Sequence, residues 1–68
     1  MKAVSGKQMC KILERHGWNL DRIKSSHHIY KKTGHAAAVS VPVHGNKTLK
    51  TGLQFSLMKQ ARLSEDDL

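Results

Sequence analysis

At Gly17 the apolar spacing of the chain changes from helical to two-residue, and that change limits what the chain can fold into. Before it, Met9, Ile12, Leu13 and His16 recur at i, i+3, i+4 and i+7, the spacing of one helical face. Ser5 is a good N-cap for such a helix, and Gly17 can take the left-handed conformation that closes one. Cys10 borders the stripe as a small core residue, while Lys7, Lys11, Glu14 and Arg15 fall on the water side, with Glu14 in reach of the lysines.

After Gly17 the alternation reads as strands. Residues 18–24 form a first one, in which the apolar parity switches between Leu20 and Ile23, so the strand either starts late or carries a bulge. Trp18 is expected to pack at the helix-to-strand corner. Residues 27–32 form a second strand around Ile29 and Tyr30, bounded by Ser25-Ser26 and Thr33-Gly34. Residues 36–43 form a third, with Val39, Val41 and Val43 alternating against Ala38, Ser40 and Pro42. Thr33-Gly34-His35 is expected to make a tight hairpin between the last two. Pro42 cannot donate to a ladder, so this strand ends there or lies on an edge.

Helical spacing returns with Leu53, Leu57, Met58 and Ala61, and Thr51 is the expected cap. Phe55 falls off that stripe, and Gln54 stands close to it where an apolar residue would be easier to explain. Residues 63–68 read as a frayed acidic tail. The sum is an α+β fold of α-β-β-β-α order: one domain over residues 1–68, a three-stranded antiparallel sheet, and two helices on one face. With Val39, Val41 and Val43 toward the helices and Ile29 joining them, His27 and Lys31 share the core side. His28, Tyr30 and Lys32 then point to the open side.

Charge restricts function more than any other bulk property. Twelve Lys and Arg stand against five acids, three of which are Glu65, Asp66 and Asp67, so residues 1–62 carry a net charge of +10. Such a body suits a polyanion, most commonly nucleic acid, although a solvated basic surface is the plainer explanation. No apolar run is long enough for a membrane span and no signal-peptide pattern is present, which leads us to expect a cytoplasmic chain. The single Cys10 fits a reducing compartment.

Histidine takes and gives protons near neutral pH, and His27 and His28 stand together beside Lys31 and Lys32. An imidazole among cations is what cleavage of RNA by its own 2′-hydroxyl requires: a base for that hydroxyl, positive charge for the phosphorus oxygens, and an acid for the leaving 5′ oxygen. Neither metal nor cofactor is needed. Metal capture, a hydrogen-bonded structural histidine or coincidence are the competing explanations of the pair. His27, His28, His35 and His44 lack the spacing that presents imidazoles on one face to a metal. A nucleophile elbow and a phosphate loop are likewise missing.

A basic helix ending in Gly17-Trp18, then Arg22-x-x-Ser-Ser-His27-His28-Ile29-Tyr30, Val41-Pro42-Val43-His44-Gly45, Leu49-Lys50-x-Gly52 and Lys59-Gln60-Ala61-x-Leu63, resembles the HicA family of bacterial toxins over nearly the whole chain. The resemblance implies a fold like that of double-stranded-RNA-binding domains, an mRNA-cleaving endoribonuclease, and inhibition by a HicB antitoxin. It leaves room for indirect association with operator DNA through that antitoxin. The family's Gly-Ser-x-His motif ends here at His28, the residue that strand parity also turns outward. His28 is thus the expected catalytic residue, with His27, Ser26 and Tyr30 in support and Lys24, Lys31, Lys32, Lys47 and Lys50 on the phosphates. A non-catalytic RNA-binding module, or a purely structural interaction domain, would fit the same composition. The sequence departs from the family pattern where Ser25 and Arg62 replace glycine, Gln54 an apolar residue, and Phe55 a polar one.

Overall fold

A computed structural model describes all 68 residues. In chain order they form helix α1 (Gly6–Arg15), strands β1 (Asn19–Lys24), β2 (His27–Lys31) and β3 (Val39–Pro42), helix α2 (Thr51–Ala61) and a 3-10 turn at Glu65–Asp67. The α-β-β-β-α order and the single antiparallel sheet, arranged β1-β2-β3, agree with the expected α+β fold.

Helix α1 begins where its cap chemistry places it. The Ser5 side chain accepts from the Gln8 amide at 3.1 Å and Gln8 Oε1 accepts from the Ser5 amide at 2.9 Å, a reciprocal capping box. Met9, Cys10, Ile12 and Leu13 are buried, and Gly17 follows the helix at φ 88°. Just beyond it the Trp18 ring is buried at the corner, as expected, 5.1 Å from the His35 ring and 5.9 Å from the Lys32 ammonium. Its indole Nε1 is buried without a partner, a cost that the nearby cation offsets only in part.

The parity switch in β1 is a bulge. Leu20 pairs with Tyr30 and Arg22 with Ile29, which leaves Asp21 as the extra residue. The connection between β2 and β3 is longer than a tight hairpin: it runs through residues 32–38, and β3 is only four residues long, not eight. Gly34 does adopt φ 86° within it. The tight turn lies instead at Ser25-Ser26, between β1 and β2. Pro42 ends β3, which is an edge strand, so its missing N–H costs no ladder bond.

Strand β2 presents the opposite face from the one expected. Tyr30 stands opposite Val39 and His28 opposite Val41, both buried valines on the helix side, whereas Ile29 stands opposite exposed Ser40. Residues directly opposite one another share a face, so His28 and Tyr30 face the helices while His27, Ile29 and Lys31 face the open side. Tyr30 is 1% exposed, and its hydroxyl donates to Glu14 Oε2 at 2.6 Å. Glu14 is therefore tied to β2 rather than to the lysines of its own helix. Tyr30 takes the helix side with its hydroxyl satisfied, Ile29 is buried as well but against the other face, and a one-residue change of parity reverses the whole strand.

Helix α2 buries Gln54, Leu57, Met58 and Ala61. Leu53, assigned to that stripe from spacing, is instead exposed at 37%, and Gln54 takes its place at 1%. Gln54 Oε1 accepts from the Val4 amide at 3.0 Å and its Nε2 donates to the Lys2 carbonyl at 2.6 Å, which clamps the N-terminal segment to α2. Thr51 is the first helical residue and the cap position is Lys50, with no side-chain cap bond. Phe55 is 68% exposed. Within the expected tail, Leu68 packs against the core, and Ser64 and Asp67 close a capping box.

Candidate active site

The turn that leads to the paired histidines is built from Ser25 and Ser26. Ser25 adopts φ 57°, a left-handed conformation that glycine takes at no cost, which reverses the chain in two residues. The half-buried Ser26 accepts at its carbonyl from the Val43 amide at 2.8 Å, tying the turn to the end of β3. His27 and His28 follow at once, at the start of β2.

Adjacent strand residues point to opposite faces, so the two rings are separated by the sheet. His27 is exposed on the open face, between Lys24 on β1 and Pro42 on β3. His28 is half-buried on the helix side, between Ile23 on β1 and Val41 on β3. The helices leave that part of β1 uncovered, since Ile23 is 55% exposed. His28 therefore sits where the helix layer gives way to solvent. Of the five histidines only His16 has an acidic partner, Asp67 Oδ1 at 3.4 Å.

The basic side chains divide into two groups. Lys24 and Lys31 lie with Arg22 on the open face, where Asp21 Oδ2 approaches Arg22 Nη1 at 2.6 Å and Lys31 Nζ at 3.9 Å. Lys47 and Lys50 line a cavity of about 310 Å³ together with His44, at the start of α2. Lys32 belongs to neither group, its ammonium lying over Trp18. The structure thus brings His28 and Tyr30 to one face, and places Lys24, Lys31 and His27 on the other. Tyr30 is not an outward-facing group: its proton is held far above the ordinary tyrosine range, first by burial and then by the Glu14 bond. No three His, Cys, Asp or Glu side chains converge as a metal site.

Glu14 and Gln54 are the contacts that spacing alone did not reveal. Glu14 reads as one half of a surface ion pair and Gln54 as a misplaced polar residue, and each gains its meaning from a partner distant in sequence. A polar residue within an apolar helical stripe was the one available signal for Gln54.

A family model described as the HicA toxin of bacterial toxin-antitoxin matches residues 6–63. The chain belongs to the HicA toxin family. It is, in consequence, a toxin of a toxin–antitoxin system, with an antitoxin as its implied partner. The matched span begins at the first residue of α1 and ends two residues beyond α2, and so takes in the His27-His28 strand and every basic side chain discussed above. A comparison with individually curated proteins finds no match. No helix of this HicA-family chain is long and apolar enough to cross a membrane.

Proposed function

We propose that the chain is an endoribonuclease that cleaves mRNA, with His28 as its general base and a HicB protein as the inhibiting antitoxin. The observation that carries this reading is the placement of His28, a half-buried imidazole on the helix side of β2 beside the uncovered end of β1, in a HicA-family chain. An imidazole there has access to substrate and no acidic partner of its own. It accepts the 2′-hydroxyl proton as the 2′ oxygen attacks phosphorus. The bond to the 5′ oxygen breaks, and that oxygen leaves with a proton from solvent or a neighbouring ammonium. The products are a 2′,3′-cyclic phosphate and a 5′-hydroxyl end. His27, on the other face of the strand, does not share the same phosphate with His28 and serves at most in binding. Lys32, Lys47 and Lys50 provide phosphate contacts, Lys24 and Lys31, on the His27 face, reach only phosphates away from the one at His28, and Ser26 sets the turn.

The test uses the purified protein, RNA and a chelator. Wild type cleaves, His28→Ala loses about 10²- to 10⁴-fold in rate with its fold intact, and His27→Ala stays within a few-fold of wild type. Full activity in the His28 variant would remove the assignment. Salt-sensitive RNA binding without any cleavage would favour a non-catalytic RNA-binding module. For the partner, the product of the neighbouring reading frame is co-expressed; a HicB-like protein that co-purifies and suppresses cleavage is the expected result.

A further inference from the structure

Three shallow depressions on the surface share lining residues and make one basic path. The first, of about 390 Å³, lies between α1 and the segment before α2; Ser5, Lys7, Gln8, Lys11, Asn46 and Thr48 line it, with no apolar side chain. The second shares Gln8 and Lys11 with it and adds Lys2 and Arg15. The third shares Thr48 and adds Lys47 and Lys50 at the start of α2. Lys2, Lys7, Lys11, Arg15, Lys47 and Lys50 therefore follow one another along it, half of the chain's twelve basic residues, with no Asp or Glu in any of the three linings.

Lys7, Lys11 and Arg15 are spaced i, i+4, i+8, so they form one exposed row on α1 with a step of about 6 Å. Unlike Arg22 and Lys31, which share Asp21, none of these three is in an ion pair. At its other end the path reaches Pro42, which stands opposite His27, the neighbour of His28 in β2.

Resting on the nuclease reading above, we propose that this path, with the α1 row Lys7-Lys11-Arg15 as its far half, is the track along which single-stranded RNA lies as it runs to the β3 edge beside the His27-His28 strand. A single strand is the form required, because in-line attack by a 2′-hydroxyl needs a backbone free to rotate. The hydroxyls and amides of Ser5, Asn46 and Thr48 between the cations suit phosphate and ribose oxygens. An acidic protein partner is the other polyanion to weigh. It would be expected to use apolar anchors; the first depression offers none, and the two most exposed large apolar side chains, Phe55 and Ile23, stand outside the path, with the less exposed Leu53 at its end.

The experiment measures binding of a 2′-O-methyl RNA oligonucleotide, which cannot be cleaved, as a function of salt. Each phosphate contact with a single strand contributes about 0.7 to the slope of log affinity against log salt, so replacing Lys7, Lys11 and Arg15 with Gln should lower the slope by about 2. Affinity at 0.1 M salt should fall roughly 100-fold by the same relation. The charge-preserving K7R/K11R/R15K variant should retain the wild-type slope, and circular dichroism checks the fold of both. A triple Gln variant that is folded and has an unchanged slope overturns the track, leaves the nuclease reading standing, and turns the α1 row over to an acidic protein partner. Failure of wild type to bind the oligonucleotide at all removes the RNA reading itself.

Discussion

The Tyr30 hydroxyl donates a 2.6 Å hydrogen bond to Glu14, tying the middle strand of the sheet to α1 across sixteen residues of sequence. Replacing Tyr30 with Phe keeps the ring and removes this bond, at an expected loss of about 1–2 kcal/mol, read as a lower urea midpoint. The bond also sets the alkaline limit of stability. Burial and Glu14 hold the Tyr30 proton in the folded state above its ordinary value of 10.0, and burial likewise raises Cys10 above 9.0. Groups raised on folding contribute fully below their unfolded values, and that contribution is lost as the unfolded chain releases its protons. Stability should therefore be flat to about pH 9 and decline above it. In Tyr30→Phe the decline should be shallower, leaving the part due to Cys10; an identical alkaline slope would show that Tyr30 does not control it.

Ser25 at φ 57° and Arg62 at φ 58° are the two non-glycine residues in the left-handed region, and the HicA pattern places glycine at both positions. A side chain there carries roughly 1–2 kcal/mol of strain, from which the greater freedom of glycine in the unfolded chain must be subtracted. Ser25→Gly and Arg62→Gly should each stabilise the protein by about 0.5–1 kcal/mol, a rise of about 3–6 °C in Tm. Because the sites lie in separate turns, the gains should add. A loss of stability in either variant would mean that the side chain makes a compensating contact.

Gly6 should tolerate no side chain. A Cβ at this first residue of α1 would collide with the Pro42 carbonyl oxygen and stand 3.3 Å from the Val43 Cα, both backbone atoms. Helix and strand would have to separate, so Gly6→Ala should cost at least about 2–3 kcal/mol despite the better helix propensity of alanine. Thermal unfolding of the variant decides this, and a gain in stability would contradict the close approach.

The C-terminal turn should open in acid. Hydrogen bonding from the Ser64 amide, with help from its hydroxyl and from His16, holds the Asp67 carboxyl below its ordinary value of 3.8. A carboxylate depressed on folding stabilises above its unfolded pKa, and the contribution is lost as pH falls through the folded value. Protection of the Ser64 amide, its exchange measured relative to the intrinsic rate at each pH, should thus be present at neutral pH, fall below about pH 4, and be weak at every pH in Asp67→Asn. Protection that does not vary down to pH 2 would place the restraint elsewhere, in the packing of Leu68.

The elements themselves were legible because they follow from local chemistry. The Ser5 cap, the stripe from Met9 to Leu13, the stop at Gly17, the bulge after Leu20 and the end of β3 at Pro42 each depend on residues within a turn or a strand of one another. His28 was reached by two routes, of which only the motif survives. Strand parity had placed it on the open face, and the structure puts it on the other. The motif is a property of the chain, whereas parity depended on choosing between Ile29 and Tyr30, adjacent residues that are both fit to be buried.

Local periodicity and capping thus account for the order, type and approximate length of the elements, since backbone hydrogen bonding and side-chain spacing act over a few residues. The assignment of faces came from contacts distant in sequence. Glu14 drew Tyr30 inward and with it His28, and Gln54 found its partners at Lys2 and Val4 about fifty residues away. The Tyr30 hydroxyl and the Gln54 amide are polar groups buried only because a specific partner is present, and no pattern within one segment records that partner. The basic path along α1 has the same origin: its cations are scattered from Lys2 to Lys50 in the chain and become neighbours when the sheet folds back beneath the helices.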